Sequence, residues 1–280
     1  MMMDFSGKTL FITAGASGMG RSFATHVAKA GGNVVIADID GAAAQALAAS
    51  LPSAIGLACD VADTGQVEHA RDMALDRFGA VDLVMSHAGI TGPGDIATLS
   101  DEAWERVLNV NVMGMVRVLR AFTPHLTERR SGHVVLTSSS LALISGHPLS
   151  GRTAPYIASK AAVIGLAQST AVALAPYGVG VTLFAPDVTD TGFAKPPAGA
   201  PPLDPALARL IPRLRQTPEQ AVAVLVEALA QGHFLASATP DHASLLQQQA
   251  QGLLDPRALA DTYRPADDGA PASPAATLHD

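Results

Sequence analysis

The chain has 280 residues, a formal net charge of −7 and no cluster of basic residues, which argues against nucleic acid as a partner. Apolar residues make up 48% and aromatics only 4%, which excludes an aromatic-rich β-sandwich and suits a core of closely packed, Ala-rich helices. No apolar run is long enough to span a bilayer without polar interruption, the start MMMDFSGK lacks the plan of a signal peptide, Cys59 has no partner for a disulfide, and the histidines lack zinc-type spacing. No membrane span and no metal are therefore expected, and a cytoplasmic location is.

Lys8 to Ala14 (KTLFITA) is a short apolar, β-branched run and predicts a buried parallel strand. Gly15, Gly18 and Gly20 follow at once, and a helix-prone segment begins near Arg21. Strand, glycine turn and helix form the context of a dinucleotide-binding loop, in which free N–H groups at the helix start face a pyrophosphate. A second run, Asn33 to Ala37, ends at Asp38. A carboxylate there can accept hydrogen bonds from ribose hydroxyls and repel a 2′-phosphate, and the next residues, Ile39 and Asp40, supply no cation. NAD is therefore expected in preference to NADP, the competing reading of Asp38 being a helix cap or turn residue.

Further strands are predicted near 54–59, 81–85, 132–138 and 178–184, alternating with helical runs. That rhythm specifies an α/β fold, a doubly wound parallel sheet of Rossmann-like type with helices on both faces and a crevice at the strand C-terminal ends. Asp38, Asp60, Ala88, Ser139 and Pro186 all follow predicted strands and converge on that edge.

Tyr156 and Lys160, in YIASK, lie four apart on a predicted helix and so share one face. A free phenol titrates near 10, and a nearby cation favours its ionised form. Lowering it to about 7 needs roughly 4 kcal/mol of differential stabilisation. The pair is a candidate for proton transfer; the alternative is a solvated helix face. Val163 to Ala175 is apolar nearly all round, as expected of a helix buried in the core or pressed against a second subunit. After Phe193, KPPAGAPPLDP predicts an irregular flap, with helices near 206–214 and 218–231, a short strand from His233 to Ala236 and a helix across 241–262. Residues 1–263 are expected to form one domain with its flap at about 190–215, and 264–280 a disordered tail.

These motifs in this order resemble the short-chain dehydrogenase/reductase family from about Lys8 to Phe193. The resemblance rests on TAGASGMG (Thr13 to Gly20), Asp60-Val61, Ser86-His87-Ala88-Gly89, NVNVMG around Asn111, GHVVLTSS (Gly132 to Ser139), YIASK and APDVTDT around Pro186. It implies cofactor contacts from Gly15, Ser17, Gly18, Met19, Gly20, Asp38, Ile39, Asp60, Val61, His87, Ala88, Gly89, Tyr156, Lys160, Pro186, Val188 and Thr191. It also implies that Tyr156 exchanges the hydroxyl proton while Ser139 steadies the oxygen. Lys160 would lower the tyrosine pKa and bind ribose hydroxyls, and Asn111 would organise a relay water. Ser138, Ser139 and Ser140 leave the choice of serine open, with Ser139 favoured by register. Three residues depart from the family pattern: Ala14 replaces the first glycine, tolerable on extended backbone; His87 replaces an Asn that braces the central strands; and Asp187 replaces a glycine. The stretch ISGHPLSGRTAP is longer than the family's and should border the substrate.

The reading is an NAD-dependent enzyme interconverting a hydrophobic, aromatic or cyclic secondary alcohol and its ketone. Leu141, Leu143, Ile144, Leu149, Phe193, Leu203 and Leu207 supply the apolar surroundings. The alternatives are a biosynthetic ketone reductase of the same family or a nucleotide-binding regulator without turnover. The resemblance also implies a homodimer or homotetramer.

Overall fold

In the computed structural model the described residues are 4–92, 96–97, 99–143, 153–193 and 215–238, with 244, 247 and 250. The remainder of the insertion, of the flap with its helix near 206–214, and of the predicted helix across 241–262 lie outside them, as does the tail from 264.

Seven strands form one parallel sheet: β1 (Thr9–Thr13), β2 (Asn33–Asp38), β3 (Ala54–Ala58), β4 (Leu83–Ser86), β5 (Gly132–Thr137), β6 (Val179–Ala185) and β7 (Leu235–Ser237). Their order is β3-β2-β1-β4-β5-β6-β7, so the winding reverses between β1 and β4. At such a reversal the crossovers leave to opposite faces and open a crevice at the strand ends. Alternate side chains of each strand face opposite layers. Leu10 and Ile12 join a core with α1 (Gly18–Lys29), α2 (Gly41–Ala49) and α8 (Pro218–Gln231). Phe11 joins the opposite core with α3 (Thr64–Phe78), α5 (Gly114–Arg129) and α7 (Ala154–Leu174).

The helix starts show why these segments fold locally. Asp40 caps α2 through Ala43 N at 2.9 Å, and Asp63 caps α3 through Gln66 N at 3.2 Å. Ser100 caps α4 (Asp101–Leu108), and Thr217 with Gln220 forms a reciprocal capping box on α8. Ser17, at the start of α1, makes no side-chain capping bond. Helices α4 and α5 are joined through a π-helical turn, Asn109–Met113, that turns Asn111 fully inward. A short helix, α6 (Ser140–Leu143), follows β5.

With its 3₁₀ continuation, α7 is long and apolar enough by composition to cross a membrane, a property the search for uninterrupted apolar runs did not bring out. In the fold it packs against β5 and β6, burying Ser159, Lys160, Val163, Ala167 and Leu174. Its outer face, including Val172 at 77% exposure, is open in the single chain.

Two backbone details set the glycine turn. Ala14 has φ +52°, so the extended backbone expected at this position is corrected to a left-handed one. Glycine adopts that region freely, whereas a Cβ there costs about 1–2 kcal/mol. Gly20 is required for close approach, because a Cβ on it would fall 2.2 Å from the Ala14 carbonyl oxygen. At the start of β5 His133 Nε2 lies 2.9 Å from Thr182 Oγ1, whose own hydrogen goes to the His233 carbonyl at 2.8 Å. Burial pushes the His133 imidazole down to about 4.

Replacing Ala14 by Gly removes the left-handed strain and is expected to stabilise the fold by ~1 kcal/mol, seen as a rise of about 2–4 °C in the thermal midpoint. His133 is neutral when folded but binds a proton near pH 6.5 when unfolded, so its contribution is present above that pH and is lost as pH falls toward about 4. Urea titrations of wild type and His133→Gln should therefore diverge in slope across that window, the wild type losing more stability on acidification.

Candidate functional site

The crevice has two halves. On the first, the β1–α1 turn places the uncapped N-terminus of α1, which carries no acidic residue in its first turn, at the sheet edge. The first N–H groups of a helix have no intrahelical acceptor and carry the positive end of its dipole. Beside them Asp38 is 8% exposed at the end of β2. One carboxylate oxygen accepts from Ala16 N at 3.0 Å and the other from Asp40 N at 3.0 Å. Asp38 thus ties the glycine turn to β2 and still keeps lone pairs for a diol. Next to it Ile39 is 75% exposed, an apolar surface on which a flat base can rest. Asp60 Oδ1 accepts from Ala62 N at 2.9 Å, and Val61 is buried against Gly114. Gly18, itself at φ +51°, leaves room for Thr191, since a Cβ there would come within 2.8 Å of Thr191 Cβ. Free N–H donors at a helix start, a carboxylate with open lone pairs and an apolar platform in this order fit a dinucleotide. Gly15, Ser17 and Met19 complete the turn.

On the second half, α7 brings Tyr156 and Lys160 against the end of β5. Lys160 is 3% exposed, and its Nζ donates to the Thr137 carbonyl at 2.8 Å. The same Nζ lies 5.7 Å from the Tyr156 ring centroid. The three serines separate by their partners. Ser138 Oγ donates to the Lys160 carbonyl at 2.7 Å, Ser140 starts α6 with its N–H on the Pro186 carbonyl, and Ser139 stands close enough to the Tyr156 hydroxyl to favour its ionised form. Tyr156, Lys160 and Ser139 therefore share one point, as their motif spacing predicts.

Electrostatics correct one expectation. Burial pushes the Tyr156 phenol up to about 12, only partly offset by Ser139. Burial also pushes Lys160 down to about 7. Because burial penalises the phenolate by more than Ser139 relieves it, Tyr156 in the protein alone is a protonated donor.

Asn111 is wholly buried, and its side chain braces the protein. Its Oδ1 accepts from Ile90 N at 2.7 Å, and its Nδ2 donates to Ile90 O at 3.0 Å and Ser159 Oγ at 2.9 Å. Gly89 lies against both Asn111 and Lys160: a Cβ there would be 3.2 Å from Asn111 Oδ1 and 3.4 Å from Lys160 Nζ. His87 retains the bracing role that its substitution for Asn put in question. Its ring Nδ1 reaches Thr137 Oγ1 at 3.0 Å, while the N–H groups of His87 and Ala88 both donate to Thr13 Oγ1, at 2.9 and 3.0 Å. Burial, then the nearby Lys160, hold this imidazole neutral, its pKa pushed down to about 3. Pro186 is buried at the end of β6, and Asp187 is half-buried with its carbonyl accepting from Thr189 Oγ1 at 2.7 Å.

A cavity of about 380 Å³ opens beside these groups. Ile90, Leu99, Val107 and Phe193 form its apolar wall, with Thr91 and Arg106 as polar members. The Phe193 ring stands 6.0 Å from that of Tyr156. Of the apolar residues expected around a substrate, Ile144, Leu149, Leu203 and Leu207 lie outside the described residues. Sequence reasoning missed Thr13, Thr137 and Ser159, which organise the site through hydroxyls. The only available signal was that each is a hydroxyl residue at or beside a motif.

The sequence profile of the short chain dehydrogenase family matches residues 8–198. Sorbitol dehydrogenase of Cereibacter sphaeroides is 34% identical over 189 residues, covering 67% of this chain and 73% of that protein. Galactitol 2-dehydrogenase of Agrobacterium fabrum is likewise 34% identical over 189 residues, with the same coverage. Among solved structures, a short chain dehydrogenase/reductase from Burkholderia phymatum in complex with NAD aligns with TM-score 0.78 and 30% identity, covering 90% of this chain and 96% of that one. With its parallel sheet, glycine turn and Ser139–Tyr156–Lys160 cluster, the chain belongs to the short-chain dehydrogenase/reductase family.

Proposed function

We propose that the protein is an NAD-dependent oxidoreductase that interconverts a hydrophobic, aromatic or cyclic secondary alcohol and its ketone. The observation that carries this reading is the Tyr156 hydroxyl beside Ser139 and a buried Lys160, at the same sheet edge as the glycine turn. The bound dinucleotide would supply the hydride acceptor or donor. In the reductive direction Ser139 holds the carbonyl oxygen and Tyr156, protonated at neutral pH, delivers a proton to it. Lys160 places its charge beneath the phenol as negative charge develops there. In the oxidative direction the same proton returns to Tyr156. Asn111 acts by fixing Ile90 and, through Ser159, the backbone of α7 at Tyr156, whose carbonyl accepts from Ser159 Oγ at 2.6 Å.

Preference for NAD is supported by Asp38, held at the point where a 2′-phosphate would meet like charge, and by the absence of a cation at Ile39 or Asp40. The apolar wall of Ile90, Leu99, Val107 and Phe193 supports a hydrophobic substrate. The relatives named for sorbitol and galactitol favour a second reading, a polyol substrate. A cytoplasmic enzyme and a homodimer or homotetramer complete the proposal, the open outer face of α7 being the surface for association.

Turnover followed at the reduced-nicotinamide absorbance with matched panels of cyclic alcohols and polyols should show higher kcat/KM for the former; the reverse order would establish the polyol reading. Tyr156→Phe should lower kcat by about 10²–10⁴-fold, and unchanged turnover would falsify the assigned proton transfer. Asp38→Ala should narrow the preference for NAD over NADP by roughly tenfold or more, through loss of a like-charge contact.

A further inference from the structure

The segment leaving β6 carries two side chains into the site, Thr191 against Gly18 and Phe193 against Tyr156. Between Val188 and Phe193 its one β-pairing among the described residues is a parallel bridge from Thr189 to Gln216. Gln216 N donates to Val188 O at 3.0 Å, and Asp190 N donates to Gln216 O at 3.0 Å. The Gln216 side chain adds a third tie, its Nε2 donating to Thr189 Oγ1 at 3.2 Å while that hydroxyl donates to Asp187 O at 2.7 Å. The neighbouring Arg215–Asp190 pair, at 3.5 Å with both side chains at least half exposed, contributes little.

The far end of this tie is rigid. Gln216 directly precedes Thr217, the N-cap of α8, and α8 buries Ala221, Val222 and Leu225 in the core shared with α1. An element anchored in the core therefore holds a segment that carries contacts to both halves of the crevice. On the proposed cofactor reading the nicotinamide lies beside Tyr156, where this segment brings Phe193, whereas Asp38 and Ile39 face the adenosine half at the end of β2.

We propose that Gln216 is a positioning residue that, through Thr189, seats the Val188–Phe193 segment on the glycine turn and so sets the grip on the nicotinamide half of NAD(H). The inference rests on the dinucleotide assignment above, and ADP serves as the probe that separates the two. In the full-length protein Gln216→Met keeps the side-chain volume but removes the donor. NADH should bind it about three- to tenfold more weakly, the effect of one neutral hydrogen bond, while ADP affinity and the thermal midpoint stay at wild-type values. Thr189→Val removes the acceptor and should reproduce the loss, and the double variant should be no weaker than either single one. A general loosening of the fold would instead weaken ADP and NADH together and lower the midpoint, which would overturn the inference. Wild-type affinity for NADH in both single variants would overturn it alone and leave the dinucleotide assignment standing. Wild-type protein that binds neither NADH nor ADP would overturn both.

Discussion

Lys160 is a cation taken almost wholly out of water, and a buried ammonium must be solvated by the protein or lose its charge. Its described hydrogen bond goes to the Thr137 carbonyl, the last residue of β5. That bond pins α7 to the sheet at one height. With Ser138 gripping the Lys160 carbonyl from the same strand end, it fixes the rotation of α7 as well. Tyr156, one turn earlier, then meets Ser139. The cluster is thus a consequence of how one charge is housed. Its partner residues occupy consecutive positions at the end of β5 because that strand lies beside β4 at the sheet's crevice.

Housing the charge this way lowers the pKa of Lys160. Desolvation acts on Lys160 and Tyr156 together, driving one down and the other up, so each group's neutral form is favoured. In the protein alone the proton therefore stays on the Tyr156 oxygen, next to Ser139. His87 adds to the same economy of charge, since a neutral imidazole beside Lys160 braces β5 without adding repulsion.

Much of this was legible in the residues themselves. Apolar runs bounded by glycine or polar residues located the strands to within one or two positions, because buried parallel strands leave continuous hydrophobic signatures. The 218–231 helix was readable to its ends, Thr217 and Gln220 forming a capping box and Gly232 closing it. What stayed hidden depends on contacts remote in sequence. The positive φ at Ala14 falls on a residue type that rarely adopts it, so the side chain itself gave no sign of it. The Thr189–Gln216 tie joins residues 27 apart. The direction of the Tyr156 pKa was misread because spacing reports which charges are near, whereas burial decides what they cost.

The π-helical turn at Asn109–Met113 governs how the cavity walled by Val107 and Phe193 can change. Each residue of a regular helix advances about 1.5 Å and rotates about 100°. Losing the extra residue of this turn would swing α4 around its axis relative to α5, carrying Ala103, Arg106 and Val107 off the cavity wall and dislodging Asn111. The phase of that wall and the anchoring of the β4 loop are locked to a single helical register. Exchanging side chains along α4 leaves that register in place, whereas a one-residue change in its length rotates the wall by about 100°.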